Sequence, residues 1–273
     1  MIWLWMAVAC GFFNAWWSAL SKRVLEHLTP REFTLVFRGL TCLFLLPLAL
    51  LQWSWPLPGA FWVWALAAGI SEGLRTWFLA IGVKKDYYSS YAFFNLNPFF
   101  TVLVAPWILK EAQPPALILG GALIALGAFL FHRMGKWSWP GFWGALFSTA
   151  GVIASKMALD HSAPLVLAFW SFGVAALFLV PLEALGGQPL RWTQVRRRFG
   201  SVLPVAFWSL VATVLFYIAL AHAPASKINP LVRANLLFGF LFSYYLLKER
   251  SGWRHNAWAG GLILSGLLLV AFS

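Results

Sequence analysis

Apolar residues along this chain fall into ten long segments separated by short polar connections. Each segment is close to the roughly 20 residues that an α-helix needs to cross the hydrocarbon core of a bilayer. Proline, glycine or charged residues bound the segments, as expected where membrane helices end. The pattern therefore predicts an all-α membrane protein with ten transmembrane helices. The predicted spans are residues 2–20, 33–51, 60–83, 91–109, 115–131, 141–159, 164–182, 202–221, 230–247 and 258–272.

The composition leaves no room for a soluble domain. Of the 273 residues, 61% are hydrophobic and 10% are charged, and the mean hydropathy is +0.77. This is more apolar surface than one soluble core of that length can bury. Cys10 and Cys42 both fall in apolar segments, so we predict no disulfide, no metal site and no cofactor. The first segment lacks the basic stretch and cleavage site of a secretory signal and is predicted to be a retained span.

The basic residues indicate an orientation in a cell inner membrane. The formal net charge is +12, and fourteen Lys and Arg residues lie in odd-numbered connections, whereas the even-numbered connections hold only Lys110 and Lys227. The positive-inside rule then predicts cytoplasmic odd connections and both termini on the non-cytoplasmic side. This membrane pattern accounts for the charge without a nucleic-acid partner, and residues 196–198 are predicted to lie near anionic lipid head groups. The fourteen are Lys22, Arg23, Arg31, Lys84, Lys85, Arg133, Lys136, Arg191, Arg196, Arg197, Arg198, Lys248, Arg250 and Arg254.

The chain contains an internal duplication. The 28 residues that begin at Ser21 align without gaps on those that begin at Ser155, at an offset of 134 residues. A second match pairs the 15 residues that end at Glu111 with those that end at Glu249. The repeat unit is therefore five helices long, with residues 1–135 forming the first copy and 136–273 the second. Because five is odd, the second copy must have the opposite orientation in the membrane, an architecture common in carriers.

Weak motifs spread over nearly the whole chain carry a family resemblance. They include GFFNAWWSALSK and VFRGL in the first two spans, FLAIGVKKDYYSSYAFFNLNPFF in spans three and four, and YIALAHAPASKINPLVRANLL in spans eight and nine. With these motifs the chain resembles the drug/metabolite transporter superfamily, in particular its ten-helix EamA-type transporters. The resemblance implies a basket of two five-helix bundles around a central cavity, whose access alternates between the two membrane faces.

Charged side chains within spans are functional hypotheses by default, because each costs about 2.5–3.5 kcal/mol at a helix centre. Glu72 and Arg75 are three residues apart in span three and so share one helix face. Two interpretations stay open. They form a structural ion pair that tethers neighbouring helices, or Glu72 carries a proton or holds a substrate amine. Lys156 lies at the end of span six, where its side chain is predicted to reach the interface.

Cations outnumber anions within and near the spans, which suggests the charge of a cargo. Arg38, Arg75, Lys156, Lys227 and Arg233 stand against the single deep carboxylate of Glu72. Since an unpaired cation in a low-dielectric cavity is costly, we predict a cargo with a carboxylate or phosphate group. Arg233 would bind this group through its planar guanidinium.

Amide and aromatic side chains complete the predicted site. Asn97 and Asn235 are repeat equivalents in spans four and nine, which line the cavity in the resembled family. Aromatic rings within spans can stack on an organic group, although core packing is their more frequent use. Pro98, Pro106 and Pro230 are predicted to kink these two spans. The predicted substrate-binding residues are Asn14, Trp17, Arg38, Glu72, Arg75, Trp77, Asn97, Tyr217, Arg233 and Asn235.

The sequence favours transport over other functions. It lacks a nucleophile elbow, a zinc signature, a phosphate loop and a carboxylate pair, so we predict no enzymatic activity. The favoured hypothesis is an alternating-access secondary transporter of a small organic metabolite, such as an amino acid or related compound, in contact with membrane lipids. The alternative is a lipid-handling, flippase-like protein or a non-transporting scaffold subunit with the same fold. Proton coupling and a homodimer through spans five and ten stay open.

Overall fold

The computed structural model describes residues 2–25, 27–54, 57–85, 87–131, 137–184, 192–245 and 253–273. Within these residues the chain forms twelve helical segments and no strand. Two pairs of consecutive segments, α4 with α5 and α10 with α11, each form one interrupted helix, so the fold has ten helices as predicted. The segments are α1 Ile2–Leu25, α2 Pro30–Leu51, α3 Gly59–Lys85, α4 Tyr87–Phe94, α5 Asn97–Leu109, α6 Pro115–Phe131, α7 Trp139–Leu159, α8 Pro164–Ala184, α9 Trp192–His222, α10 Ala225–Val232, α11 Ala234–Tyr245 and α12 Trp253–Phe272.

Local sequence signals explain where several helices begin. Thr29 accepts a hydrogen bond from the Glu32 backbone N–H, and the Glu32 carboxylate accepts one from the Thr29 backbone N–H, which forms a capping box before α2. Ser138 accepts a hydrogen bond from the Gly141 N–H at the start of α7. Proline opens α6 and α8, at Pro115 and Pro164, where its missing N–H has no helical partner to lose.

The outer surface of the bundle suits lipid rather than water. Five helices of the described chain are long and apolar enough to cross a membrane by length and composition alone, and α6 and the part of α12 from Asn256 to Phe272 are shorter apolar helices. Large apolar side chains are widely exposed, for example Leu51 at 82%, Trp107 at 84% and Phe272 at 84%. In hydrocarbon these side chains need no further cover.

The helix packing follows the duplication. Helix α3 packs on α7 and α8, and its repeat counterpart α9 packs on α1 and α2. Two further contacts join a helix directly to its own counterpart: α2 to α8 and α6 to α12. When each helix is replaced by its counterpart in the other repeat, these contacts map onto one another. This is the packing expected of two inverted repeats.

The structure interrupts spans four and nine, the two spans that were predicted to kink at prolines. In span four the helix stops at Phe94 and resumes at Asn97. Pro98 explains the interruption, since its ring would clash with the carbonyl of Phe94 four residues earlier and it has no N–H to donate. In span nine the break is at Arg233, and the helix begins at Ala225, earlier than predicted. Leu236 takes the place of Pro98 there, so a missing amide does not cause the second break.

Helices α6 and α12 approach closely within one chain. A Cβ atom on Gly120 would lie 2.8 Å from the Gly266 carbonyl oxygen, and one on Gly127 would lie 2.8 Å from the Ala259 carbonyl oxygen. These glycines therefore serve the contact between the two repeats. Gly261, also on α12, faces open space.

Part of the charge pattern cannot be placed on this fold. The residues concerned lie outside the described residues. They are Arg133, Lys136, Arg191, Lys248 and Arg250.

Candidate functional site

A polar cavity of about 230 Å³ lies between the two repeats. The first repeat lines it with residues of α1, α2, α3 and the end of α4. The second repeat lines it with residues of α7, α8 and α9 and with the break between α10 and α11. Its polar lining consists of Asn14, Ser18, Arg38, Glu72, Arg75, Ser148, Ser155, Ser209, Thr213, Tyr217, Asn229, Arg233 and Asn235.

Glu72 pairs with two arginines, one from a neighbouring helix and one from its own helix. Its carboxylate pairs with Arg38 of α2 and with Arg75 of its own helix α3. The Arg75 Nε atom donates to Glu72 Oε2 at 2.6 Å, and Arg38 also donates to the Thr76 hydroxyl at 3.0 Å. Both carboxylate oxygens of Glu72 are therefore occupied by guanidinium groups. The cluster holds α2 against α3 and keeps one net positive charge.

Arg233 stands at the break of the second repeat and is 8% exposed. Its guanidinium donates to the side-chain oxygens of two amides, to Asn95 at 3.2 Å and to Asn97 at 2.6 Å. Asn97 in turn donates to Ser148 at 2.6 Å, and Asn229 donates to Thr101 at 2.6 Å beside it. Neutral amides thus orient this cation without neutralising it.

The repeat alignment places these residues in equivalent positions. At the offset that pairs Glu111 with Glu249, Asn95 corresponds to Arg233 and Asn97 corresponds to Asn235. The bond between Asn95 and Arg233 therefore joins two equivalent positions across the middle of the protein. Two buried atoms at the break of the second repeat have no hydrogen-bond partner in the structure, Arg233 Nε and Asn235 Oδ1.

Aromatic rings lie beside the arginines of the cavity. The guanidinium carbon of Arg75 lies 5.8 Å from the ring centroid of Phe94, and the guanidinium carbon of Arg233 lies 5.5 Å from the same centroid. Arg38 lies 4.7 Å from the ring centroid of Phe172, its equivalent in the second repeat. Such contacts stabilise a cation by about 0.5–2 kcal/mol, depending on its hydration.

Comparisons with known proteins agree with this architecture. The sequence profile of the EamA-like transporter family matches residues 1–133 and again residues 136–272. The chain belongs to the EamA-like transporter family. A solved crystal structure matches it with a TM-score of 0.73 at 17% sequence identity, over 99% of this chain and 96% of that chain, and at this identity it shows the fold alone. No curated protein matches the chain.

Membership assigns this EamA-like transporter to membrane transport and to a multi-pass membrane location, and the family is one of transporters rather than enzymes. The substrate is not specified by the family. Among the residues that the structure describes, no three His, Cys, Asp or Glu side chains form a group that could hold a metal ion.

Most of the predicted site residues of the EamA-like transporter meet in the cavity. Those that line it are Asn14, Trp17, Arg38, Glu72, Arg75, Tyr217, Arg233 and Asn235. The Trp17 indole N–H donates to Asn14 Oδ1 at 2.9 Å, and its ring stacks on Phe37 with 5.1 Å between centroids. Both side chains are therefore held in place on α1.

Two predicted residues do not line the cavity. Asn97 is fully buried behind Arg233, because both ends of its amide are used by Arg233 and Ser148. Trp77 is absent from the lining and packs edge-to-face on Phe78, with 5.0 Å between ring centroids. The face of α3 that meets the cavity carries Ala68, Glu72, Arg75 and Leu79, and Trp77 lies on a different face of the helix.

The structure also brings to the site three residues that were not among the predicted site residues. Asn95 binds Arg233, and Phe94 and Phe172 contact the arginines. The repeat alignment could have identified two of them as site residues, because it pairs Asn95 with Arg233 and Phe172 with Arg38. Phe94 had no such signal, because its role depends on where α4 ends.

Two charged residues fasten helix ends outside the cavity. Glu111, after the left-handed Lys110 that ends α5, accepts hydrogen bonds from the backbone N–H groups of Ala225 and Ser226 at the start of α10. Lys156 was predicted to extend to the membrane interface. It instead donates to the carbonyl oxygens of Leu220 and Ala223, around the end of α9, at 2.7 and 3.0 Å. Each pairs its charge with the opposite partial charge of a helix terminus.

Proposed function

We propose that this protein is an alternating-access secondary transporter of a small organic metabolite that bears a carboxylate or phosphate group. The anionic group binds Arg233 in the central cavity, and Asn235 and the rings of Trp17 and Tyr217 surround the organic part. The observation that carries the proposal is the cation of Arg233, which lines the cavity, is 92% buried and has neutral amides as partners.

The charge of Arg233 favours an anionic cargo. A buried guanidinium loses its hydration, and two neutral hydrogen bonds replace only part of it. A carboxylate or phosphate supplies the opposite charge together with two parallel hydrogen bonds, the geometry that guanidinium matches best. The unpartnered Nε atom of Arg233 leaves one donor for such a group.

The cavity supports a soluble solute over a lipid tail. A lipid path needs a lateral opening lined with small apolar residues, whereas this cavity is lined by three arginines, a glutamate and several amide and hydroxyl groups. Its volume of about 230 Å³ lies just below the usual range of about 300–1,000 Å³ for ligand pockets, which suits a small metabolite.

The test is uptake into proteoliposomes that contain the purified protein. Labelled small carboxylates, phosphate esters and amines of matched size are compared, beside Arg233→Gln and the control Arg197→Gln. Arg197 is exposed and is not one of the residues that line the cavity. We expect uptake of anions, a fall of at least about tenfold in Arg233→Gln, as for the loss of one charge-assisted contact, and no change in Arg197→Gln.

Uptake of amines that is unaffected by Arg233→Gln would reject the anion-carrier proposal. Transfer of labelled phospholipid between leaflets, without uptake of any solute, would favour the lipid-handling alternative. Each variant must keep the thermal unfolding midpoint of the wild type for these comparisons to count.

The orientation is proposed from the charge distribution. We propose that both termini lie on the non-cytoplasmic side, because fourteen basic residues lie in odd connections and two in even ones. A C-terminal alkaline phosphatase fusion should be active and a C-terminal green fluorescent protein fusion dark. The reverse result would invert the orientation and leave the duplication intact.

A further inference from the structure

We propose that Arg75 and Arg233 form a two-cation site for a doubly charged oxyanion, and that the cargo is an organic phosphate monoester in its dianionic form. This inference rests on the proposed function and assigns its substrate class. It also gives Arg75 a direct role in binding the cargo, beyond its pairing with Glu72.

The charge of the cavity is the first observation. Its described lining residues include Arg38, Arg75 and Arg233 but only one carboxylate, that of Glu72. Glu72 is shared between Arg38 and Arg75, so one positive charge remains on that cluster and a second remains on Arg233. A singly charged cargo would leave one of these charges without an anion at low dielectric, whereas a dianion matches both.

The position of the two arginines is the second observation. They come from opposite repeats, Arg75 from α3 and Arg233 from the break that precedes α11, and both lie beside the ring of Phe94. Their guanidinium carbons are 5.8 and 5.5 Å from its centroid. Both side chains also line the same cavity. An oxyanion that binds both arginines would contact both halves of the protein at once.

Unused hydrogen-bonding capacity is the third observation. Arg233 Nε has no partner and can donate to an oxyanion, and Asn235 Oδ1 has no partner and can only accept. A phosphate ester with a hydroxyl or amide N–H on its organic part satisfies both atoms. Glu72 keeps its contact with Arg38 when Arg75 turns towards the phosphate, so the carboxylate does not become an isolated buried charge.

The experiment uses phenyl phosphate and phenyl sulfate, two probes of similar shape whose charges differ. Phenyl sulfate carries one negative charge at every pH used, whereas a phosphate monoester gains its second charge with a pKa of about 6. Binding of each probe to the purified full-length protein is measured by calorimetry between pH 5.0 and 7.5. Benzoate serves as a carboxylate probe.

The two-cation site predicts a specific set of affinities. Phenyl phosphate should bind about tenfold more tightly at pH 7.5 than at pH 5.0, in proportion to its dianionic fraction, while the affinity for phenyl sulfate stays constant. Arg75→Gln should remove the preference for phosphate over sulfate and change sulfate affinity little. Arg75→Lys should keep part of that preference, and Arg197→Gln should keep all of it.

The outcomes separate this inference from the proposed function. Equal binding of phosphate, sulfate and benzoate that depends on Arg233 and not on Arg75 would overturn the two-cation site and leave the anion carrier standing. Absence of binding by all three probes to a wild-type protein that transports amines would reject both. A loss of phosphate preference in Arg75→Gln that Arg75→Lys fails to restore, with an unchanged unfolding midpoint, would show that Arg75 acts through Glu72 and not on the cargo.

Discussion

At the break of its fourth helix the first repeat has Asn95, and at the equivalent break the second repeat has Arg233. The two side chains hydrogen bond to each other at 3.2 Å, so the two breaks meet near the middle of the protein. The backbone is interrupted in both repeats, yet only one break carries a charge. The duplication therefore conserves the scaffold, while single substitutions at equivalent positions assign the polar chemistry.

A second pair of equivalent positions shows the same division. Arg38 in α2 corresponds to Phe172 in α8, and the guanidinium carbon of Arg38 lies 4.7 Å from the centroid of that ring. One repeat thus supplies the cation and the other supplies the aromatic face that it contacts. Since a symmetric pair of arginines here would repel across the contact between α2 and α8, the asymmetry keeps these helices packed together.

The largest expected effect comes from making the two breaks alike. Arg233→Asn copies the first break into the second and removes the cation that we assign to the cargo. We expect anion uptake to fall by roughly 100-fold, as expected for a lost contact between charged, buried groups. Uptake in proteoliposomes measures the change.

The exchange variant sharpens the same comparison. Asn95→Arg combined with Arg233→Asn moves the cation to the other repeat, a few ångströms away across the 3.2 Å bond. We expect it to recover at least about tenfold of the lost uptake. If the exchange variant folds and transports no better than Arg233→Asn, then transport requires the cation at its position in the second repeat, and its presence elsewhere in the cavity is not sufficient.

A smaller effect is expected from Glu72→Gln. This substitution leaves Arg38 and Arg75 side by side without their shared carboxylate. Because the pair is only partly buried, we expect a cost of about 2 kcal/mol, between the exposed and the fully buried cases. The thermal unfolding midpoint in detergent should therefore fall, and the pH dependence of uptake reports whether Glu72 also carries a proton. An unchanged midpoint together with unchanged uptake would contradict both interpretations of this residue.

The smallest expected effect lies where the two repeats are alike. Gly120→Ala places a methyl group 2.8 Å from the Gly266 carbonyl oxygen, in the contact between α6 and α12, and overpacking of this kind costs about 1–3 kcal/mol. Gly261→Ala on α12 is the matched control, since nothing lies within 4 Å of its added methyl group. Equal midpoints for the two variants would contradict the close packing of these helices.

Much of the fold was predictable from the sequence because a bilayer restricts the possible structures. Backbone groups in hydrocarbon must bond within their own segment, so each long apolar run had to be a helix. Span five was predicted at residues 115–131 and forms α6 at Pro115–Phe131. The inverted arrangement also followed from sequence, because two copies of an odd number of spans must face opposite ways. Pro98 indicated the kink in span four, but the break of span nine lies at Arg233 rather than at Pro230. Hydropathy could not locate this second break, because it reports burial in the membrane and not the continuity of a helix.

The site was less determined by sequence than the fold. Sequence marked Arg38, Glu72, Arg75 and Arg233 as costly charges, and those residues line the cavity. It could not assign their partners, because side chains from α2, α3 and the second break meet only after the helices pack. Trp77 and Asn97 show the limit. Trp77 lies on α3, which borders the cavity, and Asn97 follows the break after α4. The rotation of α3 and a bond from Arg233 to Asn97, which depend on contacts distant in sequence, keep both out of the lining.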